Sequence, residues 1–185
     1  MQDGVLGCPN CRDSLPITDG FADLRAPPRG DLPGGLAGSA PSHGESDEPG
    51  LADDVQRLCA LLGIQRGPGV VALLGASARH ASGVASTVED LLIVAIDPDL
   101  VTWEDAPGVS RAAAGPGLPF FSRALRGVVV DGRLGRGWIE EAIRVVAPMS
   151  RVIVLRSPDW TSGLLAEAGL TILASETETV VAARG

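Results

Sequence analysis

The chain has 185 residues, 45% hydrophobic and 21% charged, with a net charge of −8 and no tyrosine. The length suits one domain with a well-buried core rather than two. The acidic balance argues against a nucleic-acid partner, and no apolar run reaches the ~18 residues that cross a bilayer as a helix.

The opening MQDGVLGCPN has neither the basic start nor the apolar stretch of an export signal, so a cytoplasmic location is expected. Residues 1–24 form a head that contains Cys8 and Cys11 in a CxxC pair. Residues 25–50, RAPPRGDLPGGLAGSAPSHGESDEPG, are rich in Pro, Gly and Ser and nearly lack large apolar residues, which predicts a flexible linker. From Leu51 onward the pattern is that of a folded domain, 51–185. Leu51, Val55, Leu58 and Leu62 fall at helical spacing, and Gly63 supplies a stop.

VVALLG, residues 70–75, is a continuous apolar run ending in glycine and reads as a strand buried on both faces. A small-residue loop and a helix follow, then a second strand over 91–97. A short strand is expected near 109–113 and a third strong one over 128–131. Residues 138–147 place Ile139, Ala142, Ile143 and Val146 on one helical face, and 151–156 form a fourth strand. A short helix over 162–168 ends at Gly169. LTILAS and ETVVAAR then close the chain as two strands joined by a polar turn, which requires an antiparallel hairpin. The expected fold is α/β: a Rossmann-like, mostly parallel sheet with helices on both faces and a C-terminal antiparallel hairpin.

The order of these segments resembles the class I S-adenosylmethionine (SAM) methyltransferases, in particular the quinone and metabolite enzymes. VVALLGASARHASGVA is similar to the family's first motif, a strand followed by a glycine-rich turn, and IVAIDPD to its second, a strand ending in an acid. LPFFSRALRGVVVDGRL, IEEAIRVVAPMSRVIVL and LLAEAGLTILAS resemble the later strands and helices in the family's order. In the head, CPNCRDSLPITDGFADL resembles the second half of a small zinc ribbon fused to, or acting beside, some methyltransferases; the ribbon's first cysteine pair is absent.

The resemblance implies SAM as cofactor, held by Gly75, Ala76 and Ser77 in the turn and by Asp97, whose carboxylate would accept hydrogen bonds from the ribose hydroxyls. It places Asp131, at the end of the third strand, beside a small-molecule substrate; as residues alone, Asp131-Gly132 also reads as a plain turn. The family's other two cofactor acids fall at Leu73 and about Ala114, and Arg79 replaces a glycine. Two missing charge-assisted hydrogen bonds, at roughly 1.5–3 kcal/mol each, weaken affinity about a hundredfold or more. His80 follows the turn, where a general base could stand, though no partner for it can be named and a surface loop histidine is the expected reading.

Cys8 and Cys11 supply half of a structural zinc site, which takes four protein ligands. A zinc shared in a homodimer, an upstream cysteine pair, and a loop kept after loss of the metal all fit. A nicotinamide-type Rossmann enzyme is disfavoured because GASARHASG lacks the G-x-G-x-x-G spacing. Two functional readings remain: a SAM-dependent methyltransferase acting on a small molecule, and a non-catalytic methyltransferase-like domain that binds a partner or stabilises an assembly.

Overall fold

The computed structural model describes residues 4–7, 14–40, 49–176 and 178–185. Cys8, Cys11 and His43 lie outside the described residues, so the zinc expectation is not addressed there. Among the described residues no cluster of three His, Cys, Asp or Glu side chains could hold a metal ion, and no helix is long and apolar enough to cross a membrane.

The described strands are β1 (Gly4–Gly7), β2 (Ser14–Thr18), β3 (Phe21–Asp23), β4 (Gly69–Leu74), β5 (Leu91–Ile96), β6 (Val109–Ala113), β7 (Leu125–Asp131), β8 (Val146–Leu155), β9 (Leu170–Glu176) and β10 (Thr179–Arg184). The helices are α1 (Pro49–Leu62), α2 (Ala81–Thr87), α3 (Arg136–Val145) and α4 (Thr161–Glu167). The strands form one sheet in the order β1-β2-β3-β6-β5-β4-β7-β8-β10-β9. Strands β3, β6, β5, β4, β7 and β8 run parallel, and β10 pairs antiparallel with both β8 and β9. The expected fold class is therefore the observed one, closing hairpin included.

Period-two alternation explains why the central strands are apolar throughout. Val71 and Leu73 of β4 and Val129 of β7 pack on one face, against Val55, Leu58 and Leu62 of α1 and Val84 of α2. Ala72 and Leu74 of β4 and Val128 and Val130 of β7 pack on the other, against Ile139, Ala142 and Ile143 of α3 and Leu165 of α4. At about 25 cal/mol per Å² of apolar surface, each fully buried Val or Leu contributes roughly 1.5–3 kcal/mol. The largest boundary difference from expectation follows α3: the helix stops at Val145 and β8 begins at Val146. The apolar VV pair serves equally as the last turn of a helix or the start of a strand, and Pro148 favours the strand because it cannot donate to a helical hydrogen bond.

The N-terminal strands extend the same sheet. Phe21, Ala22 and Asp23 pair in parallel with Arg111, Ala112 and Ala113. Arg111, 4% exposed, ties the two parts together: its guanidinium donates to the carbonyl oxygens of Asp19, Leu100 and Trp103 and to Asp105 Oδ1.

Residues 31–38 belong to the stretch whose composition reads as a linker, yet they lie across the carboxyl end of β5. Ala37 is fully buried, and three backbone N–H groups of this strap bond to Asp97 and Asp99. The composition hid this because backbone amides and two apolar side chains, the buried Ala37 and the partly buried Leu32, are enough to hold the strap.

Candidate functional site

In an open parallel sheet, ligands bind outside the carboxyl ends of the strands where the strand order reverses. Here that point lies between β4, which leads to β5 on one side, and β7 on the other. The expected cofactor and substrate residues, Gly75, Ala76, Ser77, Asp97 and Asp131, all fall at this edge.

Gly75 opens a 3-10 turn, Gly75–His80, with φ +70, a left-handed conformation that glycine adopts without strain. The space that its missing side chain leaves is taken. A Cβ at residue 75 would stand 3.0 Å from Asp131 Cβ and 3.0 Å from Leu134 Cδ1. Arg79, the cation that replaces a family glycine, points outward and is exposed, so Leu134 rather than Arg79 fills the space beside Gly75. Ala76 is 5% exposed. Ser77 Oγ donates to the Leu74 carbonyl at 3.1 Å, with the Val129 carbonyl as a longer second acceptor at 3.4 Å, which pins the turn to the sheet.

Asp97 follows β5 and is 2% exposed. Its Oδ1 accepts from the Asp99 N–H at 3.0 Å and its Oδ2 from the Leu36 N–H at 2.8 Å. Asp99 accepts from the N–H groups of Gly35 at 2.8 Å and Gly38 at 2.9 Å. The strap is so close that a Cβ at Gly35 would lie 1.8 Å from Asp97 Oδ1. The carboxylate expected to receive ribose hydroxyls thus receives the chain's own amides.

Asp131 is fully buried at the end of β7. It accepts from Arg133 N and Nε at 3.0 Å each, from an Arg133 terminal nitrogen at 2.8 Å, and from Arg156 at 2.7 Å. Burial works to raise its pKa, but the Arg133 hydrogen bonds and the charges of Arg156 and Arg133 outweigh burial and hold the carboxyl below its ordinary value. It is a permanent anion that orders two arginines, with no carboxyl proton to give at neutral pH.

Leu73, at the position of a family acid, is a fully buried core residue, and Ala114 packs against the core beside α3. The residues present therefore do not fit SAM in this conformation: one acid is capped, two are apolar, and the glycine turn abuts Leu134.

His80, at the end of the turn, is 9% exposed, and its Nδ1 is buried without a hydrogen-bond partner. Burial, reinforced by Arg79 and Arg156 and opposed by Asp54, lowers its pKa. It borders a cavity of about 420 Å³ that also reaches Arg57 of α1 and Arg156 after β8. Sequence reasoning named His80 without a partner and expected it at the surface, where the structure buries it, and it gave Arg57 and Arg156 no role. Their convergence depends on the crossing of α1 over β8, which no local pattern records.

No protein-family model matches the chain, and no curated protein matches it. Its structure is similar to solved ones. A SAM-dependent methyltransferase from Aquifex aeolicus matches with a TM-score of 0.51 at 15% identity, over 71% of this chain and 97% of that one. The precorrin-6y C5,15-methyltransferase of Geobacter metallireducens matches with a TM-score of 0.52 at 13% identity, over 72% and 88%. A chain of the complex that contains the Haloferax volcanii Trm112 methyltransferase activator matches with a TM-score of 0.51 at 14% identity, over 72% and 76%. At these identities the likeness speaks to architecture: the chain has the fold of the class I SAM-dependent methyltransferases.

Proposed function

We propose that this chain is a non-catalytic methyltransferase-like protein, one that uses the methyltransferase sheet as a scaffold for binding and does not transfer a methyl group. The observation that carries this reading is the state of Asp97. Its two carboxylate oxygens accept from the N–H groups of Leu36 and Asp99, and the strap backbone lies against the carboxylate that a ribose would need. The apolar residues at Leu73 and Ala114 and the Leu134 contact at Gly75 support the same reading. The ligand is a small molecule or a protein partner. A protein partner is supported by the Haloferax neighbour, whose structure is that of a complex with an activator.

Isothermal titration of SAM into the full chain tests the proposal. No heat is expected at about 1 mM cofactor. SAM binding that disappears in Asp97→Ala would overturn it. A second reading, an active small-molecule methyltransferase whose strap leaves when SAM arrives, is favoured by one feature: Asp97 remains an acid at the end of β5.

A further inference from the structure

In the sheet order, β5 and β8 lie on opposite sides of β4, so the end of β8 is well separated from Asp97 and its strap. There the 420 Å³ cavity opens between the middle and last turns of α1, the 75–80 turn, the end of β8 and the β9–β10 hairpin. Its size falls within the roughly 300–1,000 Å³ of small-molecule sites. Asp97 and Gly75 are not part of its wall.

The wall carries both signs of charge. Arg57 and Arg156 line it together with Asp54, Glu176 and Glu178. The three carboxylates make no ion pair among the described residues. Each arginine has spent only part of its donor set: Arg57 gives one N–H to Thr179 Oγ1 at 3.3 Å, and Arg156 gives one to Asp131 Oδ2 at 2.7 Å. A guanidinium has five N–H donors, so most remain. The buried, unpaired Nδ1 of His80 adds a polar atom that lacks a partner within the protein. Leu58, Leu61 and Leu155 supply an apolar floor.

Simple anions meet three carboxylates here, and simple polyamines meet two guanidinium groups. A molecule that carries both charges within a few ångströms satisfies both sets. We propose that this cavity binds a zwitterionic α-amino acid, with its carboxylate on Arg57 and Arg156, its ammonium on Asp54, Glu176 and Glu178, and its aliphatic side chain on Leu58, Leu61 and Leu155. The proposal names the ligand class of the binding function above and rests on that reading for the absence of methyl transfer.

The test is calorimetric titration of the full chain with L-norleucine, its methyl ester and its N-acetyl derivative. L-norleucine is expected to bind, and each blocked derivative to bind at least about tenfold more weakly. Arg57→Gln and Glu178→Gln are expected to weaken L-norleucine about fivefold or more, with unchanged circular-dichroism melts. No binding of L-norleucine at about 10 mM, or equal binding of the blocked derivatives, overturns the proposal whether or not the variants fold. A SAM titration in parallel separates the two claims. SAM that competes with L-norleucine and ignores Asp97→Ala supports the zwitterion site while sinking the SAM-free reading. SAM that depends on Asp97 sinks that reading alone and leaves the L-norleucine comparison to decide the site.

Discussion

Gly35→Ala is the sharpest probe of the strap. The added Cβ would stand 1.8 Å from Asp97 Oδ1 and 2.7 Å from Asp99 Cγ. Neither carboxylate can swing aside cheaply, because Asp97 is held by the N–H groups of Leu36 and Asp99, and Asp99 by those of Gly35 and Gly38. The strap must lift, and three N–H to carboxylate bonds of 2.8, 2.8 and 2.9 Å go with it. Such bonds contribute about 1.5–3 kcal/mol each when charge-assisted. Asp99 is only half-buried and recovers water when released, so the bond from Leu36 to the 2%-exposed Asp97 dominates. A loss of about 2 kcal/mol follows, which is roughly 4–8 °C in Tm for a chain of this size. Amide hydrogen exchange reads it directly. In the parent chain the amides of residues 35, 36 and 38 are protected, and in the variant they exchange about thirtyfold faster. Unchanged protection of these three amides together with an unchanged Tm would refute the strap geometry. The same variant divides the functional readings. With the strap lifted, continued indifference to SAM supports the non-catalytic one, and newly gained SAM binding supports the gated methyltransferase.

Asp131→Asn removes a buried charge from between two guanidinium groups that are each about half-exposed, and should cost about 2 kcal/mol at pH 7, below the 3–5 kcal/mol range of fully buried pairs. Because the folded carboxyl titrates below its unfolded value, its stabilisation is present above about pH 4 and is lost as the pH falls through the lowered value. Urea midpoints of parent and variant should therefore differ at pH 7 and the gap should narrow as the pH falls below about 4; a constant gap contradicts the ion-pair account. His80 works in the other direction. Its folded pKa lies below its unfolded one, so as the pH falls below about 6.5 the unfolded chain takes the proton first and stability declines until the folded value is passed. His80→Gln should flatten that part of the Tm–pH curve between pH 7.5 and 5, and parallel curves for the two proteins would show that His80 is not buried as described.

The parts of this molecule that were legible in its sequence are those whose stabilising contacts are made by side chains with a regular period. The runs at 70–74 and 128–130 are apolar at every residue because both faces of β4 and β7 are covered, and Ile139, Ala142 and Ile143 repeat at helical spacing because α3 has one covered face. The pairing of β3 with β6 involves only Phe21, Ala22 and Asp23, too few residues to show a period, and its anchor Arg111 looks like any other arginine until Asp19 and Asp105 are brought to it. The strap was invisible for a deeper reason. It binds largely through backbone N–H groups, which every residue but proline carries, and the buried Ala37 and the lack of a Cβ at Gly35 fall within a stretch, PGGLAG, where small residues are explained equally well by flexibility. Asp97 shows the limit most clearly. Its type and place at the end of β5 were readable, but a ribose hydroxyl and the Leu36 amide both offer a hydrogen to the same oxygen. An acid at a strand end specifies that a donor will come. Whether that donor belongs to a ligand or to the chain itself depends on the path of a segment some sixty residues away, so identity at a cofactor position and availability of that position are separate facts, and only the second decides whether this fold can do methyltransferase chemistry.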